Sequence, residues 1–191
     1  MLDDDNPVLV PNRECGDCNV CCAALTIDDP ALQKPPGFRC RNTLPDKSCG
    51  IYDGRPRTCR VFFCGYRRLK WVKDTLRPDQ SDVLVNLQYE SKPGETPVRM
   101  GVSFTLLSNA ALKAEGLAES VAAAVGAGVP VYVQIPGPPG FTWAQARIDD
   151  ALRPAVYARD KAAILRLLQQ AHRQGRKGDF EPVKLTGRTS A

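Results

Sequence analysis

Histidine is almost missing from this chain of 191 residues: His172 is the only one. That excludes metal sites and catalytic pairs built from several imidazoles, and turns attention to other donors. Long apolar runs are missing as well. No stretch approaches the ~20 apolar residues that span a bilayer, and the opening "MLDDDNPVLV" is acidic where a secretory signal would be basic. These absences lead us to expect a soluble, cytoplasmic protein with no membrane partner. Familiar catalytic signatures are absent too: there is no P-loop, no G-x-G-x-x-G between a strand and a helix, and no G-x-S-x-G. Cysteine is confined. All 8 fall between residues 15 and 64, and the longer remainder has none.

What is there is dense. The spacing runs C-x2-C-x2-C-C over Cys15, Cys18, Cys21 and Cys22, followed by Cys40, Cys49, Cys59 and Cys64. A disulfide framework serves small secreted domains that lack a core, whereas a chain of this length can bury a core unaided. One buried cysteine is an ordinary small apolar residue, but four within eight positions are not explained that way. If residues 15–22 are helical, Cys18, Cys21 and Cys22 fall at about −60°, −120° and −20° from Cys15, so one face carries all four sulfurs. In a loop, two-residue spacers also let thiolates converge on one ion. Crowded thiolates without a cation are unfavourable, so the cluster asks for a metal.

With His172 read as a surface helix residue, the donor set is sulfur, with Asp17 a candidate carboxylate at its edge. Soft thiolates suit zinc or an iron–sulfur cluster and argue against magnesium, calcium or manganese. Zinc sites typically pair two separated C-x2-C knuckles. The bacterial iron–sulfur run is C-x2-C-x2-C-x3-C-P, and Cys15, Cys18 and Cys21 match only its first three positions. Spacing leaves the two open. Further along, "GIYDGRPRTCRVFFCGYRRL" predicts a turn at Asp53–Gly54 and a helix starting at Pro56. Cys59 then sits in its first turn beside arginines that favour a thiolate. Cys64 lies ~140° round that helix from Cys59 and need not share its centre. Phe62, Phe63, Tyr66 and Leu69 are read as packing.

The net charge of +5 is uneven: residues 1–37 carry 2 basic and 7 acidic side chains, residues 38–73 carry 10 basic and 2 acidic. A solvated helix face is the plain explanation. A four-thiolate zinc or oxidised [4Fe–4S] unit carries a formal charge of about −2, which the basic block can balance without nucleic acid.

"CGDCNVCC", "FRC" and "KSCGIYDGRPRTCRVFFC" together resemble the CxxCxxCC family of YkgJ-like cysteine-cluster proteins, with its zinc- or iron-chelating domain. The elements are Cys15, Cys18, Cys21 and Cys22; Cys40; Cys49 with Ile51, Tyr52, Arg55, Pro56, Cys59 and Arg60; and Cys64, preceded by Phe63 where many relatives have proline. The match spans about residues 13–66. It implies that all eight cysteines are ligands, and implies no reaction. Flagellin lysine N-methylases join such a cluster to a longer chain, and this sequence is too short for that architecture.

Past the cysteines, residues 81–107 predict a β-hairpin around "ESKPGET", residues 108–127 a helix, "VPVYVQI" a strand, "PGPPG" a stiff loop and residues 149–174 a helix with Ala163, Leu167, Leu168 and Ala171 on one side. The order β-β-α-β-α predicts an α+β fold: a cysteine module at 1–75, an α+β part at 76–175 and a basic mobile tail at 176–191 with a short strand at "EPVKL". Gly126 and Gly128 read as a helix end, Tyr132 and Trp143 as packing. The favoured function is a metal-binding protein whose cysteines hold zinc or an iron–sulfur cluster in a structural, redox or metal-handling role. An enzyme using that centre beside a substrate pocket comes second. A zinc-organised nucleic-acid-binding module comes last, because an Arg-rich amphipathic helix with Trp71 also suits simple docking. No protein partner is indicated.

Overall fold

The computed structural model describes residues 8–90 and 99–187. The chain is α+β. Its first part holds short elements only: helix α1 (Val20–Ala24), strands β1 (Ile27–Asp29) and β2 (Leu32–Lys34), and helices α2 (Arg57–Val61) and α3 (Gly65–Arg68). A 3₁₀ turn at Asp74–Leu76 and helix α4 (Pro78–Ser81) lead into the sheet. Then come β3 (Val83–Glu90), β4 (Arg99–Leu106), a 3₁₀ turn (Asn109–Lys113), α5 (Leu117–Gly126), β5 (Val131–Ile135), β6 (Ala144–Arg147), α6 (Asp149–Tyr157) and α7 (Lys161–Gly175).

The main sheet has the order β3-β4-β5-β6. β3 pairs antiparallel with β4 from Val83↔Leu106 to Glu90↔Arg99, β4 runs parallel to β5, and β6 returns antiparallel. Alternation decides the faces: Val83 and Val85, then Val102, Phe104 and Leu106, then Val131, Val133 and Ile135 share the buried side. Leu117, Val121, Val125, Leu152, Ile164 and Leu168 of α5, α6 and α7 close over it. The large core draws its buried residues from positions 72 to 171. The cysteine-bearing segment has its own small buried cluster, Ile27, Leu32 and Cys40, with Cys22 and Cys59 against it.

Two anchors join the parts. Arg13, 8 % exposed, donates from Nη1 to the carbonyls of Tyr66 (2.8 Å) and Leu69 (3.1 Å) and from Nη2 to Val72 (2.6 Å). Gly65, which opens α3, faces β3 so closely that a Cβ would stand 2.5 Å from Val85 Cγ1. Gly65→Ala is therefore expected to push α3 off the sheet and cost about 1–3 kcal/mol in urea unfolding. An unchanged midpoint would refute that packing argument.

The structure corrects several expected elements. The helix read from Pro56 onward is two: Phe62 (ψ 119°) ends α2 and Cys64 (ψ 165°) precedes α3, so the chain is extended between them. The helix at 108–127 is a 3₁₀ turn capped by Ser108 Oγ, then α5. The helix at 149–174 breaks into α6 and α7 at Arg159 (φ 55°), and Asp160 caps α7 by accepting from Ala163 N at 2.8 Å. Its buried stripe is Ile164, Leu168, Ala171 and His172, with Ala163 and Leu167 at the margin. β6 was not expected, since "AQAR" is short and mostly exposed. "EPVKL" forms only a bridge, Phe141↔Pro182, continued by Val183 N donating to Gly140 O. Thr186 and Gly187 then donate to the Asp28 carboxylate. The residues expected to turn the 81–107 hairpin lie largely outside the described residues. Gly126 ends α5 as read.

Candidate metal centre

Residues 15–18 form a turn in which Cys18 N donates to Cys15 O at 2.9 Å. Asp17 does not join a donor set: its carboxylate is ion-paired with Arg77, which holds its pKa below the usual value. Arg77 also pairs with Asp79 at 2.9 Å. Cys18 lies at this junction, and burial, reinforced by the Asp79 charge, pushes its thiol up to about 11.

α1 begins only at Val20, so the four N-terminal cysteines do not share a helix face as expected. Cys21 and Cys22 are consecutive in that helix, and consecutive side chains diverge by ~100°. They divide the thiols between two neighbourhoods. Cys21 senses the charges of Cys15 and Cys64. Cys64 sits just before α3, with burial raising its pKa and Cys15 adding to the effect. Arg67 of α3 reaches across, its Nη1 4.0 Å from Cys15 Sγ. We call Cys15, Cys21 and Cys64 the outer set, and add Cys18, which is tied to it only through its backbone bond to Cys15.

Cys22 points the other way. Its carbonyl accepts from Cys40 N at 3.0 Å, and with Cys59 it packs on the Ile27–Leu32–Cys40 cluster. Thr43 N donates to Cys40 O at 3.0 Å, and Thr43 bridges to Cys49. Cys59, the third residue of α2, is pushed up to about 11 by burial and then by the charges of Cys22, Cys40 and Cys49. These four are the inner set. Between the sets, the adjacent Cys21 and Cys22 thiols interact, which raises the pKa of Cys21 and lowers that of Cys22. Within this pair Cys22 is the sulfur whose thiolate is favoured.

The inner set has a buried cation. Lys34, 5 % exposed, donates from Nζ to the carbonyls of Ala23 (3.2 Å), Pro35 (3.1 Å), Phe38 (2.9 Å) and, at shorter range, Leu25. Ala23 and Leu25 lie at the C-terminal end of α1, so the ammonium satisfies carbonyls the helix leaves open. Burial lowers the Lys34 pKa, while the nearby sulfurs of Cys40, Cys22, Cys21 and Cys59 oppose that change. Sequence reasoning passed over Lys34. Its signal is weak: one lysine in an acidic stretch, two residues after the Asp29–Leu32 hairpin turn.

All eight cysteines are free thiols. Among the described residues, no three or more His, Cys, Asp or Glu side chains stand close enough together to hold an ion as they are oriented. The donor chemistry fits a soft metal in both neighbourhoods, and closing either set requires side-chain rotation. Rotation about χ1 between staggered wells moves a sulfur by a few ångströms without moving the backbone. The basic block is partly spent inside the molecule: Arg55 lies 3.7 Å from the Tyr52 ring centroid, Arg67 5.7 Å from that of Phe63, and Arg39 Nη2 donates to Leu44 O. No protein-family profile, curated protein or solved structure matches this chain, so the likeness to the CxxCxxCC family rests on its motif residues.

Proposed function

We propose that this protein binds a soft metal, as zinc or an iron–sulfur cluster, through its eight cysteines in two sets of four. Cys15, Cys18, Cys21 and Cys64 would hold one centre; Cys22, Cys40, Cys49 and Cys59 the other. One observation carries the reading. Residues 15–64 hold eight reduced cysteines and an apolar cluster of only Ile27, Leu32 and Cys40. So small a core does not stabilise a segment of short elements by hydrophobic burial alone. Thiolate–metal bonds supply that cross-linking, as in small metallo-domains whose folding is metal binding. The role proposed is therefore first of all structural. An iron–sulfur centre would add one-electron chemistry.

The chain's own residues serve such a centre in three ways. Lys34 and Arg55 set positive charge beside Cys22, and Arg67 sets it beside Cys15. The Ile27–Leu32 cluster keeps water from Cys40. Cys22, with its pKa lowered beside Cys21, Lys34 and Arg55, offers a ready thiolate. Reduced thiols on this scale belong to a reducing compartment, which supports a cytoplasmic location. Among the described residues no helix is long and apolar enough to cross a membrane. The intramolecular use of Arg39, Arg55 and Arg67 weighs against a nucleic-acid interface.

Anaerobic purification followed by metal analysis and visible spectroscopy tests the proposal. Bound zinc without colour, or iron with the broad visible absorption of a cluster, supports it. A metal-free chain whose residues 15–64 are fully protected from hydrogen exchange would sink it. The pH dependence has a definite sign. Cys18 and Cys59 are raised to about 11, so they are protonated near neutrality and metal must displace those protons. Affinity should rise with pH, by about tenfold per unit for each proton released. Zinc titrations in buffers of different ionisation enthalpy count the protons.

A further inference from the structure

The sheet carries a second candidate site, lined by none of the eight cysteines. β4 and β5 are parallel neighbours, and their C-terminal ends, Leu106–Ser108 and Ile135–Pro138, open on the same edge. Loops diverging from that edge commonly leave a ligand crevice. A cleft of about 370 Å³ lies there, walled also by His172 and Arg176 at the end of α7 and by Phe180. The last turn of α7 reaches the strands because residue 175 is glycine: a Cβ would stand 2.7 Å from Ile135 Cγ1. Arg176 follows one turn after His172, its N donating to His172 O at 3.1 Å.

His172 was expected on the surface and is instead 4 % exposed. Its position on the buried stripe of α7 explains the difference, since the last apolar residues before it are Leu168 and Ala171. Among the described residues its ring makes no hydrogen bond and its nitrogens are not among the buried unpaired atoms, so they reach the open space of the cleft. Burial, then the charge of Arg176, lowers its pKa, so the imidazole is neutral near pH 7. Arg176 is exposed, touches Asn109 Oδ1 at 3.5 Å and meets no carboxylate among the described residues. No acidic side chain lines the cleft. Ser108 Oγ is committed to Asp82 and to Ala110 N. The other walls are apolar, and Pro136 and Pro138 offer no N–H.

We infer that this cleft binds a small organic anion, a carboxylate or a phosphate ester, its charged end on Arg176 and His172 and its apolar body on Leu107, Pro138 and Phe180. The guanidinium supplies the charge and planar donors that such groups accept. The imidazole supplies a second polar group on the cleft wall, and the volume suits a metabolite-sized molecule. This site stands independently of the metal proposal.

The lone histidine makes the test direct, because its ring protons give single assignable NMR signals. Benzoate and phenyl phosphate are titrated into the full chain at constant ionic strength, with chloride as the control anion. Saturable shifts of the His172 resonances at about millimolar ligand are expected from at least one probe. The tighter probe identifies the anion class. Arg176→Gln, a change at an exposed side chain, should weaken that binding at least tenfold. No saturable shift from either probe, or equal binding by the Arg176→Gln protein, would overturn the inference.

Discussion

Serine in place of Cys40 is expected to halve the metal content, from about two zinc equivalents per chain to about one if the metal is zinc. The remaining equivalent should stay on the outer set. Cys40 is the buried member of the inner set, backed by Ile27 and Leu32 and bonded through its backbone to Cys22. Serine cannot replace a thiolate for a soft metal, and the buried hydroxyl would be left without a ligand role. Cys64→Ser should give the complementary loss, because Cys64 neighbours Cys15 and Cys21 and not Cys40. The double variant should bind almost none. Metal content per chain, with hydrogen exchange over residues 15–64, reads all three. If either single change empties both sets, or neither changes the content, the division into two centres fails.

The second large effect belongs to Arg13 and is asymmetric. Its guanidinium satisfies three carbonyls, of Tyr66, Leu69 and Val72, and also bonds Asp74 through Nε at 2.6 Å. Asp74 is 84 % exposed, so that ion pair is screened and contributes at most about 1 kcal/mol. Leu69 O also accepts from Val72 N at 3.1 Å, but the carbonyls of Tyr66 and Val72 depend on Arg13. Arg13→Met strands those two in the joint between the N-terminal segment and the core, at a cost of about 2–4 kcal/mol. Arg13→Lys should also destabilise, since these carbonyls and Asp74 are met by separate nitrogens of a planar guanidinium that a single ammonium cannot replace in position. Asp74→Ala should be nearly neutral. Urea midpoints at unchanged slope compare the three. Equal losses for Asp74→Ala and Arg13→Met would show that the ion pair, not the carbonyl set, carries the joint.

Several elements were legible because period and punctuation agreed. The alternation of "SDVLVNLQY" and "PVRMGVSFTLL" became β3 and β4, and "VPVYVQI" became β5. Short breaks were not legible. Asn109 to Gly126 reads as one apolar-periodic segment, yet it contains a 3₁₀ turn and a separate helix. "RTCRVFFCGYRRL" has helical spacing throughout, but Gly65 must meet Val85 at a distance no side chain allows. A contact with a strand some twenty residues later decides where that helix stops. β6 is another such case: its residues become a strand because β5 offers an unpaired edge.

Residue type and spacing alone determined the donor chemistry: soft sulfur crowded into the first third of the chain, with one histidine elsewhere. They also determined the α+β class, through hydrophobic period. Tertiary structure alone decided which sulfur faces which. Cys21 and Cys22 are adjacent in sequence, but a helix turns ~100° per residue and gives them different further neighbours, Cys15 and Cys64 for the one and Cys40 and Cys59 for the other. Cys64 and Cys15 are far apart in sequence and are brought together where α3 is seated on β3. The same distinction applies to His172. Sequence shows an imidazole in a helix, and only the packing of α7 on β5 sets it in a cleft beside Arg176.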